Sequence, residues 1–253
     1  MKDGIDSRAT EAQNMQARYT RRDAQADARR YGMDNPYAFA AWQERLRRMR
    51  ALLVDSGRHA LHAMDVLEVG CGNGGNLQDL LRMGVVPARL AGVELMADRA
   101  ARARELLPAD CRIWQGDALA PDMQRHVAPD SQDLIVLFTV FSSILAPDIQ
   151  QQLAQRVWQW LKPGGAVLWH DFVYDNPRNP DVRGVSVKQL RALFPQAHLQ
   201  VQRATLAPPI GRVACRVSPA LYPVLNTVPW LRTHVLCLLS KPGHVPTPCH
   251  PMP

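Results

Sequence analysis

The residues best placed to do binding chemistry are two carboxylates, each at the end of an apolar run and beside a turn. In residues 66–76 (Val-Leu-Glu-Val-Gly-Cys-Gly-Asn-Gly-Gly-Asn) the run carries Glu68, then breaks into Gly70, Cys71, Gly72, Gly74, Gly75 and Asn76. Glycine accepts positive φ and has no side chain, so such a turn lets a ligand approach bare backbone. Glu68 suits a ligand carrying positive charge or hydroxyls, whereas a pyrophosphate favours a helix N-terminus without a neighbouring acid. Residues 89–95 (Arg-Leu-Ala-Gly-Val-Glu-Leu) form a second run, ending on Glu94 and Leu95. In doubly wound folds an acid about 20 residues past the glycine turn holds the two hydroxyls of a ribose. A third short run, 114–118, closes on Gly116, Asp117 and Ala118. His170 and Asp171 follow a later run. Histidine titrates near neutrality and suits proton removal, with Asp171 as the alternative base or an orienting group.

These groups need a frame. From residue 64 to 169 apolar runs alternate with helical patterns over 75–83, 97–107 and 147–161. That alternation predicts a parallel sheet with helices on both faces. Residues 133–143 read as a fourth strand that runs into a loop offering Phe138, Phe141 and Ser142. Leu161-Lys162-Pro163-Gly164-Gly165 ends a helix and turns into a fifth strand over 166–169. A helix over 187–194 and strands over 198–206 and 234–240 complete the pattern. Residues 207–233, with prolines at 208, 209, 219, 223 and 229, are long for a hairpin connection. Loops of that length tend to be functional, so the expectation is either a lid or substrate-binding insertion facing lipid, or a structural cap over the sheet edge. Residues 1–60 read as a flexible tip and a helical cap. Tyr19 and Arg22 are possible contacts, and a helix over 37–53 carries Phe39, Trp42, Leu46 and Met49 on its apolar face. Arg45, Arg47, Arg48 and Arg50 occupy the opposite face. The domain then spans 61–241, and the proline-rich 242–253 is expected to be disordered.

Glu68, Gly70, Gly72 and Gly74 match the E/D-x-G-x-G-x-G motif, and here the chain resembles the class I S-adenosylmethionine (SAM)-dependent methyltransferases. Glu94, Asp117 and the Leu161–Gly165 phrase extend the resemblance over about residues 60 to 240. It implies an α/β fold with a seven-stranded, mostly parallel, doubly wound sheet, N-terminal helices and an insertion between strands six and seven. SAM is the implied cofactor. Glu68, Gly70, Cys71, Gly72 and Asn76 would form its turn, Glu94 and Leu95 its ribose site, Asp117 and Ala118 its adenine site. Backbone near Phe138 would meet the methionine portion. Residues 169–185, 206–210 and 231–234 look like a bacterial subgroup associated with surface-glycan or secondary-metabolite biosynthesis, which commonly has tyrosine where His170 stands. Asn176, Arg178 and Arg183 would then hold a sugar or phosphate. No Asn-Pro-Pro-Tyr-type tetrapeptide follows strand four, which argues against nucleic acid as a partner.

Composition sets the remaining bounds. The chain has 253 residues, 47% apolar and 21% charged, as expected of one globular core. No apolar h-region opens it, and its five cysteines form no CxxC pair, which points to a reduced, cytoplasmic setting without a structural zinc. The longest apolar run, 134–146, is too short to span a bilayer. No acid follows Asp181, yet Arg183, Lys188, Arg191, Arg203, Arg212, Arg216, Arg232 and Lys241 do, against a net charge of +7 for the whole chain. Such asymmetry suits an anionic substrate, membrane headgroups or nucleic acid. Together these features favour SAM-dependent methyl transfer to oxygen of a small molecule, sugar or lipid-linked glycan, with peripheral contact at the inner membrane face. Methylation of nitrogen or carbon in a natural product or RNA is the alternative, and a non-catalytic SAM-binding protein is the third.

Overall fold

The structure is a computed structural model that describes residues 2–24, 32–176 and 179–243; within the first helix, side chains are described from residue 10 to 21. Seven strands form one sheet in the order β3-β2-β1-β4-β5-β7-β6. The strands are β1 (Val66–Val69), β2 (Leu90–Glu94), β3 (Arg112–Gln115), β4 (Gln132–Phe138), β5 (Leu161–Phe172), β6 (His198–Leu206) and β7 (Arg232–Ser240). The first five run parallel, while β7 lies antiparallel between β5 and β6. Strand order reverses at β1, where β2 and β4 flank it, and doubly wound sheets bind their ligands in the crevice at that point. The expected fold is therefore observed. Every residue of β1 and β2 is buried, as parallel strands covered on both faces must be.

Side chains alternate between two apolar layers. Leu67, Ile135, Val167 and Trp169 pack with Leu153, Val157 and Trp160 of α5 (Pro147–Trp160) and Leu190 of α6 (Val187–Leu193). On the other face Val66, Leu134, Val136 and Leu168 meet Met49, Leu52 and Leu53 of α2 (Pro36–Asp55). Leu77 and Leu80 of α3 (Gly75–Arg82) and Ala100 and Ala103 of α4 (Ala97–Leu106) complete that layer. The fifth strand is longer than the sequence pattern suggested. It starts at Leu161 directly after α5, because Leu161 already pairs with Gln132 before a register shift.

In the segment read as a tip leading into helix, residues 2–24 form a helix, α1 (Lys2–Ala24). The arginine face of α2 makes specific contacts. Its Arg48 Nε donates to Glu44 Oε1 at 2.7 Å, and Arg45 Nη2 donates to Asn76 Oδ1 at 3.2 Å. Phe39, placed on the apolar face by its spacing, is 41% exposed, whereas Tyr37 and Glu44 are buried. Met49 packs on the sheet and Trp42 donates to Asp79, while Tyr37 and Glu44 face the insertion, residues 207–233.

That insertion folds as α7 (Pro208–Val217) and α8 (Leu221–Leu225) and packs on α2. Tyr37 donates its hydroxyl to the Leu206 carbonyl at 2.9 Å, and a Cβ at Gly211 would sit 2.3 Å from the Tyr37 ring. Glu44 Oε2 accepts from the Tyr222 hydroxyl at 2.7 Å and the Thr205 amide at 3.2 Å. One buried carboxylate thus joins α2, β6 and α8. Of the tail expected to be disordered, residues 244–253 lie outside the described residues. Among the described residues no helix is long and apolar enough to cross a membrane.

Replacing Glu44 with Ala leaves buried donors on Tyr222 and Thr205, and the half-buried Arg48, without their acceptor, so a loss of about 3 kcal/mol in unfolding free energy is expected. Urea denaturation checks this, and a loss below about 1 kcal/mol would show that the insertion is held by its apolar contacts alone.

Candidate active site

The turn after β1 is built by wedging backbone between two neighbouring elements. The Gly70 amide donates to the Val93 carbonyl at 2.8 Å, and Gly70 adopts φ +73°. A Cβ there would lie 2.9 Å from Val140 Cγ2, so only glycine fits without a shift. Glu94, at the end of β2, reaches back across this turn. Its Oε2 accepts from the Gly72 amide at 2.8 Å and its Oε1 from the Met96 amide at 2.9 Å. Glu68 lies beneath, fully buried, with Oε1 accepting from Asn76 Nδ2 at 2.6 Å and Oε2 without a protein partner among the described residues. Burial pushes the Glu68 carboxyl up to about 8, against the pull of Asn76 and Arg45.

A cavity of about 260 Å³ opens at the carboxyl ends of β1, β2, β3 and β4. Its walls include Gly70, Cys71, Gly72, Asn76, Glu94, Leu95, Asp117, Ala118 and Phe138, all nominated by the sequence. Glu68 supports the wall through Asn76 rather than lining it. The roof was missed. Glu11, Ala12, Met15 and Tyr19 of α1 line the cavity, and their spacing puts them on one helix face, the signal that could have found them. Only Tyr19 had been singled out. Glu11 Oε1 accepts from Arg18 at 2.8 Å and from the Leu145 amide at 2.9 Å; Tyr19 donates to Ser143 Oγ at 3.0 Å. Arg99, also missed, stacks over the Tyr19 ring at 4.6 Å. The helix therefore straps the cleft to the loop after β4.

The proposed catalytic pair is placed elsewhere. His170 and Asp171 are successive residues of a strand, so they point to opposite faces of the sheet, and neither lines the cavity. His170 stacks on His234 with ring centroids 5.1 Å apart, 5.4 Å from Phe138, and its Nε2 is 3.5 Å from Thr205 Oγ1. Burial, then His234 and Arg45, hold its pKa well below the usual value. Asp171 Oδ2 accepts from the Ser142 amide at 3.1 Å and Oδ1 from the Phe172 amide at 2.9 Å. Burial pushes its carboxyl up to about 7, opposed by hydrogen bonds from Ser142 and Phe172. Both are braces in this geometry.

Several acceptor residues also fall away from the cavity. Phe141 and Ser142 are fully buried, Phe141 packing on Trp169 at 4.6 Å. Asn176 and Arg183 are exposed on the loop after β5, off the cavity wall. Arg178 and the side chain of Arg22 lie outside the described residues. No residue of the 207–233 insertion lines the cavity, so it caps α2 instead of closing the cleft. Among the described residues no group of three His, Cys, Asp or Glu side chains could hold a metal ion. The four cysteines described are free and buried.

Residues 66–165 match the family model described as methyltransferase domain, a span that holds the glycine turn, both carboxylates and the loop after β4. Over that stretch the chain is similar to methyltransferase domains, and its sheet has the class I arrangement. Solved structures agree on its fold: a SAM-dependent methyltransferase from Archaeoglobus fulgidus superposes with TM-score 0.55 at 14% identity, covering 79% of this chain and 96% of that one. One from Mesorhizobium loti gives 0.53 at 18%, covering 74% and 98%. Among curated relatives, human tRNA N(3)-cytidine methyltransferase METTL6 is 32% identical over 121 residues, 45% of this chain and 40% of that protein. Drosophila melanogaster tRNA N(3)-methylcytidine methyltransferase Mettl2 is 28% identical over 151 residues, 56% and 43%. The chain thus spans about two-fifths of the length of these relatives. The expectation that set nucleic acid aside does not stand, because these relatives are tRNA methyltransferases. The missing tetrapeptide was a poor guide.

The cavity fits SAM. Glu94 keeps lone pairs for two ribose hydroxyls, Asp117 with Ala118 would meet adenine, and the unpartnered Glu68 oxygen lies beside Asn76, where positive charge would be stabilised. When bound, SAM supplies a methyl group on a positively charged sulfur. The protein's own task would be to position the acceptor in line with it, in a cleft that Glu11, Ala12, Met15 and Tyr19 of α1 help to line.

Glu94→Ala should weaken SAM binding by about 1–3 kcal/mol, read by calorimetry on folded protein; unchanged affinity would remove Glu94 from the site. Glu68 gives a pH test. Its raised pKa means the free protein is favoured by the protonated form, an advantage lost as pH rises through about 8. A bound cation favours the carboxylate, so SAM should bind more tightly as pH rises from about 6.5 to 8.5, by at most about tenfold per pH unit. Glu68→Gln should flatten that slope, and a slope kept in the variant would assign it to another group.

Proposed function

We propose that this domain methylates a ring nitrogen of a base in RNA, with a cytidine of tRNA as the first acceptor to test. The observation that carries the reading is its similarity to tRNA N(3)-cytidine methyltransferases from human, Drosophila melanogaster and Schizosaccharomyces pombe, over 42–56% of the chain. Two features of the chain support it. The net charge of +7 and the acid-free stretch beyond Asp181 suit a polyanionic acceptor. The cavity wall carries no histidine, and its carboxylates Glu11, Glu94 and Asp117 already accept backbone N–H bonds from Leu145, Gly72 with Met96, and Leu119. A ring nitrogen presents an in-plane lone pair and needs no proton removed before attack. A hydroxyl acceptor gains from a base.

The decisive assay incubates the protein with unmodified tRNA transcripts and SAM, followed by nucleoside mass spectrometry. Methylcytidine formed in step with S-adenosylhomocysteine is expected. Methyl transfer to a sugar or lipid-linked glycan with none to RNA would overturn this reading and restore the surface-glycan one. Absence of turnover on either, in protein that binds SAM, would leave a non-catalytic binding domain.

A further inference from the structure

Two aromatic side chains near the β5–β7 end of the sheet face solvent. Trp230 is 79% exposed and Tyr174 is 51% exposed. Tyr174 follows β5, and Trp230 lies on the turn two residues before Arg232, the first residue of β7. Since β7 runs antiparallel to β5, the end of one strand and the start of the other meet at the carboxyl edge of the sheet. That is the edge on which the cofactor cavity opens.

Guanidinium groups tie this place together. Arg203 Nη1 donates to the Tyr174 hydroxyl at 3.0 Å, with its guanidinium 6.0 Å from the Tyr174 ring centroid. Arg232 donates to the carbonyls of Arg203 and Asn226. Both arginines bond to neutral oxygens, and Glu44 of α2 is the carboxylate that acts on Arg232 electrostatically. The loop leading from Tyr174 returns to the cleft: the Arg183 amide donates to the Ser142 carbonyl at 2.9 Å, and Asp181 pairs with Arg21 of α1 at 2.9 Å.

Resting on the RNA reading above, we propose that Tyr174, Trp230, Arg203 and Arg232 form a shelf that binds unpaired nucleotides of the RNA acceptor beside the methylated base. Exposed rings stack on bases without regard to sequence, and adjacent guanidiniums follow the phosphates. Val213, Val217 and Val224 are also exposed on the insertion. Aliphatic side chains alone would suit lipid or protein, but exposed flat rings beside arginines that form no ion pair with a carboxylate within 4 Å among the described residues suit a single strand.

The test measures binding of a fluorescently labelled, unmodified tRNA transcript by anisotropy, alongside methylation kinetics. Trp230→Ala, Tyr174→Ala and Arg203→Ala should each weaken RNA binding and raise the KM for tRNA roughly tenfold, with kcat and SAM affinity unchanged. Trp230→Phe should retain most of the affinity. Arg203→Ala should also lower the slope of log affinity against log salt by about 0.7. Arg89→Ala, which removes an equal charge just before the start of β2 at the opposite edge, should change none of these. If the wild type methylates tRNA and the shelf variants bind it equally well, the shelf is wrong and the RNA reading stands. Wild-type protein that binds no tRNA overturns both. Cosedimentation with vesicles of phosphatidylglycerol and phosphatidylcholine that is lost in Trp230→Ala, with tRNA binding intact, makes this a lipid surface and overturns the shelf.

Discussion

The site depends on one carboxylate held by two backbone amides. Glu94 ends β2, yet its oxygens accept from Gly72 in the turn after β1 and from Met96 ahead of α4. That pair of bonds fixes the turn relative to the neighbouring strand, and each oxygen keeps a lone pair facing the cavity. The contact is possible only because the strands approach closely. A Cβ at Gly92 would lie 2.7 Å from Cys71 Sγ, and one at Gly70 would lie 2.9 Å from Val140. The turn is therefore clamped from β2 on one side and from the loop after β4 on the other. The same acid builds the turn and presents the acceptors that a ribose needs.

Helix α2 explains why so many polar groups near the site are structural. Its Arg45 reaches Asn76, lies 3.9 Å from Asp79 and sits over the Phe138 ring, so the helix supports the cavity wall from behind. Its Glu44 anchors Tyr222 and Thr205. Thr205 takes φ +61°, a conformation costly for a branched residue, and the bond from its amide to Glu44 helps hold it there. His170 is enclosed in this layer against His234, where charging either ring is unfavourable. Burial that perturbs a pKa is here a consequence of packing, and perturbation alone does not mark a catalytic group.

Much of this was legible in the sequence. The mostly parallel sheet, the glycine turn and the placing of Glu94 and Asp117 on the cavity wall follow from short-range patterns, because each motif sits at a strand end that the fold brings to one edge. What failed depended on tertiary contacts. The apolar residues of α2 were visible, but Phe39 turned outward because Tyr37 and Glu44 found partners in the insertion. Helix α1 reads as polar sequence, and only its docking onto Ser143 and Leu145 reveals a cavity face. His170 and Asp171 look like a dyad as a dipeptide, although strand geometry separates adjacent side chains to opposite faces.

The cleft and its surroundings divide the work of recognition. Inside, the carboxylates of Glu11, Glu94 and Asp117 are each committed to backbone amides, so they hold shape more readily than they exchange protons. A site of that kind would suit an acceptor that brings its own lone pair, since it gives little help to a poor nucleophile. Outside, positive charge accumulates in the last third of the chain, on β6, β7 and the insertion, which contribute nothing to the cavity wall. Charge set apart from the chemistry cannot stabilise methyl transfer directly, but it can raise the local concentration of a large anion and set its direction of approach. A small acceptor held wholly within 260 Å³ beside the cofactor would gain little from it. A polyanion long enough to reach from the cavity to the β5–β7 edge would gain from both.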